Sequence, residues 1–141
     1  MLRARGIPRK RHTKTMTLDF TKFNGLIPAV IQEEKSGRVL MVGFMNPEAF
    51  AKTLESGNVT FFSRSRNKLW MKGESSGHVL QVVTIAPDCD DDSLLIKVVA
   101  HGPGVCHNGY ESCFYRTLTG GEWVESEKPT YDPRAIYGGS K

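Results

Sequence analysis

The run Asp88-Cys89-Asp90-Asp91-Asp92-Ser93 is the densest polar cluster in the chain. Carboxylates packed this closely repel one another, and a solvated turn is the plain account of such a run. Asp88, Asp90 and Asp92 alternate, however, so in an extended segment their carboxylates project to one side and together hold a hard cation. An EF-hand fails the count: with Asp88 as position 1, position 6 is Ser93 rather than glycine and position 12 is Val99 rather than glutamate. A magnesium-type site that retains waters fits better. Cys89 lies inside the cluster and, in an extended segment, faces away from its aspartate neighbours, which predicts two adjacent metals rather than one.

With Cys106 and Cys113, Cys89 makes a C-x16-C-x6-C pattern that has no Cys-x-x-Cys pair and no fourth cysteine. The spacing alone is a weak zinc signature, and three buried, hydrophobe-like thiols are the alternative. None of the three stands in an apolar run, which favours the metal. Three thiolates leave a tetrahedral zinc with one open position for water, the feature that separates catalytic from structural zinc. They also outweigh the dication by one charge, so they acidify that water less than neutral imidazoles do. A general base nearby then becomes useful, and His107, directly after Cys106, is the best-placed residue. The same histidine would otherwise be a fourth ligand or merely orient a neighbour.

A third stretch, Ser63-Arg64-Ser65-Arg66-Asn67-Lys68-Leu69-Trp70-Met71-Lys72-Gly73-Glu74-Ser75-Ser76-Gly77-His78, interleaves cations, hydroxyls and glycines around one tryptophan. Arg64 and Arg66 alternate and can fork onto a phosphate together, the Ser/Gly run offers backbone N–H groups, and Trp70 can stack on a base. An exposed basic hairpin with Trp70 in the core is the plainer alternative. Oxygen-ligated cation, open zinc, paired arginines and a flat aromatic together point to hydrolysis of a phosphorylated, purine-containing small molecule.

The elements that must position these groups are mostly strands. Leu26–Ile31 and Val39–Met45 flank the turn-rich Lys35-Ser36-Gly37-Arg38 and predict a hairpin. Asn46 as cap, Pro47 at the first helical position, Glu48 in the first turn and Gly57 as stop predict one helix. Val59–Phe62, Lys68–Met71, Val79–Ala86, Leu94–His101 and Cys113–Leu118 read as further strands. The expected fold class is therefore α+β, mainly β, with antiparallel strands because the gaps are too short for helical crossovers, and with few short helices. A domain over 17–119 is expected, followed by a loosely packed extension, 120–141, broken by Gly-Gly, Lys-Pro and Asp-Pro.

Length and charge bound the rest. A chain of 141 residues with 39% hydrophobic and 24% charged residues fits one soluble domain. No apolar run approaches the ~18 residues that span a bilayer, and the N-terminus lacks the apolar core of a secretory signal, so a cytoplasmic location is expected. An odd cysteine count argues against a disulfide framework. The formal charge of +4 is uneven: six of the 19 cations fall in residues 1–16, leaving 13 against 15 acids, a body near −2. The 1–16 tail is expected to be a solvated arm, either an extension upstream of a start at Met16 or a partner arm. A body of that charge predicts no nucleic-acid binding.

In these three motifs the sequence closely resembles the phosphoribosyl-AMP cyclohydrolases of histidine biosynthesis. The likeness rests on Ser63–Arg66 with Leu69–His78, on Asp88–Leu95, and on Gly102–Gly109 through Ser112–Arg116, and it covers roughly residues 18–118. The resemblance implies hydrolytic opening of the adenine ring of N1-(5-phosphoribosyl)-AMP at the N1–C6 bond. It implies zinc at Cys89, Cys106 and Cys113 and magnesium at Asp88, Asp90 and Asp92, and in such a reaction His107 is expected to relay the proton. Arg64, Arg66 and Lys72 would then neutralise the phosphates, Trp70 would stack on the base, and Glu74 or His78 would bind ring or ribose. It further implies an intertwined homodimer with zinc ligands drawn from both subunits. The chain departs from the family pattern at Asn108, where threonine is more usual. Two other zinc readings fit less well: nucleobase deaminases carry a Pro-Cys-x-x-Cys that is absent here, and a structural zinc module calls for a fourth thiol.

Overall fold

The first two apolar runs form the expected hairpin. β1 (Ile27–Glu33) pairs antiparallel with β2 (Val39–Met45), and the turn closes where Gly37 N donates to Glu33 O at 2.9 Å. The structure is a computed structural model that describes residues 17–137, so the basic tail 1–16 lies outside the described residues. The predicted helix follows as α1 (Pro47–Ser56). Asn46 Oδ1 accepts from Ala49 N at 2.8 Å, and Gly57, in the left-handed region at φ 77°, donates its N–H to Thr53 O. The buried Thr53 ties the helix to the next strand, its Oγ1 donating to Thr60 O at 3.2 Å and accepting from Thr60 N at 3.0 Å.

β3 (Thr60–Ser63) and β4 (Lys68–Met71) make a second hairpin, followed by β5 (Leu80–Pro87) and β6 (Leu94–Ala100). The main sheet has the order β2-β1-β6-β5. β5 and β6 pair antiparallel, as the short connection dictates, but β1 and β6 are parallel, with Ala29 opposite Leu94 and Glu33 opposite Val98. The antiparallel expectation is corrected at this pair for a physical reason: gap length constrains only strands that follow one another in the chain. β1 and β6 are separated by all of β2 to β5, which is ample crossover.

Period-two burial builds the core. Ile27, Ala29 and Ile31 of β1 and Leu94, Ile96 and Val98 of β6 point inward beside Leu40, Met45, Leu80 and Phe61. The opposite face is also apolar where the four strands are in register: Val42, Val30, Leu95 and Ala86 form one row across them. Val42 and Leu95 are exposed there.

The C-terminal part departs from the predicted boundaries. Cys113–Tyr115 is not strand; β7 (Arg116–Thr119) begins after it and turns at Gly120-Gly121 into β8 (Glu122–Glu125). A short helix, α2 (Pro133–Tyr137), ends the described residues. Ser112 explains the early break. Fully buried, its Oγ donates to Val39 O at 2.8 Å and accepts from Phe114 N at 2.9 Å, while Cys113 N donates to Leu40 O at 2.8 Å. These bonds pin the segment across the end of β2 rather than in a ladder. No helix among the described residues is long and apolar enough to cross a membrane.

Candidate active site

A cleft of about 510 Å³ opens between the β3–β4 hairpin, the turn that follows it and the loop after β6. Ser63, Ser65, Arg66, Trp70, Lys72, Glu74 and His107 are among its lining residues. The volume suits a small ligand, and the lining carries cations, hydroxyls and one aromatic face. Five of the site residues expected from sequence, Arg66, Trp70, Lys72, Glu74 and His107, therefore meet here although they lie on different elements.

Arg64 is not among the cleft residues. The alternation that would aim both arginines at one phosphate requires an extended backbone, and residues 64–67 form the β3–β4 turn. The Arg64 guanidinium instead stacks 4.2 Å over the Phe44 ring. Trp70 serves cleft and core at once, with its ring tilted against Phe61 at 5.5 Å. His78 also lies away from the cleft lining: its ring packs against Gly102 and meets Tyr131 edge-on at 6.2 Å.

Behind the cleft, Cys106 and Cys113 come together. Cys106 is buried in the loop after β6, its backbone N donating to Tyr110 O, and its Sγ accepts from Asn108 N at 3.4 Å. Cys113 is brought beside it by the Ser112 anchor. Cys113 is an exposed residue, but the partial loss of solvent at its thiol, reinforced by the Cys106 thiol, pushes it up to about 11 in the metal-free chain, and Lys72 works in the opposite direction. Lys72, only 8% exposed, is in turn lowered by its burial while both thiols act to raise it. Its ammonium lies 5.5 Å from the Trp70 ring centre. A buried cation, two thiols and an aromatic thus form one electrostatic unit.

Cys89 stands apart, exposed on the β5–β6 turn. Asp88, Asp90 and Asp92 on the same turn offer carboxylate oxygens all within 4.8 Å of one another. The convergence expected from sequence is present, but by a different route: the segment is not extended. Asp91 takes a left-handed conformation at φ 63°, Asp91 N donates to Asp88 O, and Asp92 N donates to Asp88 Oδ1 at 3.0 Å. Lys22 Nζ bridges Asp90 and Asp92 at 3.1 and 3.0 Å. Lost solvation raises Asp88, but hydrogen bonds from Ser93 and Asp92 outweigh it and hold the carboxyl at about 2. The Lys22 bond lowers Asp92, but reduced solvation and the Asp90 and Asp88 carboxyls outweigh it and leave Asp92 raised.

Sequence reasoning missed three residues around the thiols: Ser112, Thr130 and Tyr131. Ser112 falls inside a recognised motif, yet its type gives no sign that its hydroxyl serves β2. Thr130 and Tyr131 lie in a segment expected to pack loosely, and they hydrogen-bond to the loop that carries Cys106.

Fold and site define the class as a small, mainly β α+β protein with a cationic cleft of small-ligand size beside a thiol pair. A family model described as phosphoribosyl-AMP cyclohydrolase matches residues 41–115. A curated relative of that name from Solibacter usitatus (strain Ellin6076) is 65% identical over 124 residues, covering 88% of this chain and 98% of the relative. One from Geobacter metallireducens is 53% identical over 120 residues, covering 85% and 96%, and one from Geobacter sulfurreducens is 52% identical over 122 residues, covering 86% and 98%. The chain belongs to the phosphoribosyl-AMP cyclohydrolase family.

Proposed function

We propose that the chain hydrolyses the adenine ring of N1-(5-phosphoribosyl)-AMP between N1 and C6, a step of histidine biosynthesis. The observation that carries the reading is the meeting of Arg66, Trp70, Lys72 and His107 at one cleft backed by the Cys106–Cys113 pair. In the reaction a water oxygen bonds to C6, the C6–N1 bond breaks, and N1 leaves with a proton. His107, exposed at the cleft, takes the water proton on an imidazole nitrogen and returns one to N1. Arg66 offers a forked donor to phosphate oxygens. Trp70 gives the base a face on which to stack, and Glu74 reaches ring or ribose hydroxyls. Arg64, held against Phe44, acts on phosphate only if it leaves that ring.

The donor set fits the metals that the family implies. Cys106 and Cys113 are soft ligands already side by side, and the Lys72 cation offsets the excess negative charge of a three-thiolate zinc site. Zinc held by Cys89, Cys106 and Cys113 supplies Lewis-acid activation of water. Asp88, Asp90 and Asp92 would hold magnesium, and Lys22, which now bridges Asp90 and Asp92, would have to give way to it. Cys89 does not converge with the other two thiols within one chain, which favours a homodimer that completes the set from both subunits. The row Val42, Val30, Leu95 and Ala86 gives such a partner an apolar face to cover.

The test is metal analysis of the purified protein together with an absorbance assay of ring opening, with and without a zinc chelator. Turnover that disappears on chelation and returns with zinc supports the reading. A folded, zinc-loaded protein without turnover overturns it. His107→Ala is expected to keep its zinc and lose about 100-fold in kcat; a loss within about threefold would remove His107 from the proton relay.

A further inference from the structure

The loop Gly102–Tyr110 carries both Cys106 and His107, and the chain beyond β8 returns to clamp it. Thr130 N and Tyr131 N both donate to Gly109 O, at 2.7 and 3.2 Å. Thr130 Oγ1 donates to Pro103 O at 2.8 Å, at the other end of the loop. Tyr131 OH donates to Cys106 O, which also accepts from Gly109 N at 3.0 Å. One carbonyl, that of a thiol-bearing residue next to His107, is thus fixed by two donors. The fit leaves no room for side chains. A Cβ on Gly104 would meet Thr130 Oγ1 at 2.9 Å, and one on Gly109, whose φ is 96°, would meet Tyr131 O at 2.7 Å and Pro133 Cδ at 2.9 Å. His107 is exposed at the cleft, so what places its imidazole is the backbone on which it stands.

We propose that Thr130 and Tyr131 are positioning residues for the reaction, a C-terminal strap that holds the Cys106-His107 turn in register with the cleft. The strap lies beyond residues 41–115, the stretch matched by the family model. Its catalytic meaning rests on the ring-opening reading; its structural meaning does not. Small displacements of a proton-transferring group are costly because the reacting atoms must stay within hydrogen-bond reach. Tyr131→Phe removes a single hydroxyl and keeps the ring that meets His78.

The experiment compares wild type with Tyr131→Phe, Thr130→Val and Thr130→Ser in the zinc-loaded protein, measuring kcat, KM, thermal midpoint and amide exchange at Cys106 and Gly109. The expected result for Tyr131→Phe and Thr130→Val is kcat lower by about tenfold with KM within about twofold. Exchange at the two loop amides, both hydrogen-bonded within the loop, is expected to be about tenfold faster while the midpoint stays near wild type. Thr130→Ser, which keeps the hydroxyl, is expected to restore both readouts to within about twofold. The inference is overturned if wild type turns over and the variants match it in kcat and exchange. It is equally overturned if kcat per folded, zinc-loaded chain is unchanged and only the folded fraction falls. A wild type that does not open the ring removes the functional reading instead, and loop exchange still decides whether the strap exists.

Discussion

The acidic turn and the thiol loop gather their candidate metal ligands by opposite means. Asp88, Asp90 and Asp92 converge within one exposed turn, organised by hydrogen bonds a few residues long. Cys106 and Cys113 converge because distant chain holds them: β2, whose carbonyls accept from Ser112 and Cys113, Lys72 from the turn after β4, and Thr130 and Tyr131 from beyond β8. A local site tolerates the loss of one member because its frame remains. A site assembled over long range loses its geometry with any anchor. The acidic turn is also already neutralised in part by Lys22, whereas the thiol pair has its counter-charge buried beside it.

The sharpest way to break this contrast is to remove one ligand from each site. Cys113→Ser is expected to abolish zinc retention and cut ring opening by about a thousandfold or more, whereas Asp90→Asn is expected to cost about tenfold, recoverable with excess magnesium. Metal analysis and turnover at graded magnesium read both. Equal losses from the two variants would show that the sites are not organised differently.

Ser112→Ala tests the anchor rather than the ligand. Its hydroxyl is fully buried and serves Val39 O and Phe114 N. Removing it leaves buried groups unpaired and is expected to cost about 1–3 kcal/mol, a fall of several degrees in thermal midpoint. A midpoint equal to wild type would remove Ser112 as the cause of the break before β7.

The smallest expected effect is on pH. In the metal-free chain Cys113 has its folded value raised from 9.0 to about 11. Its contribution to stability is therefore complete below pH 9 and lost as pH rises through 11, because the unfolded thiol ionises first. Asp88, lowered from 3.8 to about 2, contributes above its unfolded value and fails only as pH falls through 2. Thermal midpoints of chelated protein at pH 8 and 11 are expected to differ by less in Cys113→Ser than in wild type. Equal differences would show that the thiol is not the titrating group.

Much of the fold was legible because its signals are local. Asn46, Pro47 and Gly57 bracket α1 through caps spanning three or four residues, and the β1–β2 hairpin follows from two apolar runs around Lys35–Arg38. The parallel β1–β6 pair was not legible, since partner choice between remote strands leaves no mark at short spacing. The donor types were readable from residue identity, but the cause of convergence at Asp88–Asp92 was misread: a left-handed turn at Asp91, not strand alternation, gathers the carboxylates. The parting of Arg64 from Arg66 has the same root, because alternation means nothing in a turn.

By itself the sequence determined the strand-rich class, the helix with its caps, the donor types and the family, since each depends on residue identity at fixed short spacing. Only the tertiary structure decided which cations face the cleft and that Cys89 stands away from its two fellow thiols. It alone revealed that a segment ending in α2 clamps the loop carrying Cys106 and His107. Those are contacts between residues far apart in the chain. They follow from how the sheet and its loops close, and no periodicity or spacing encodes that.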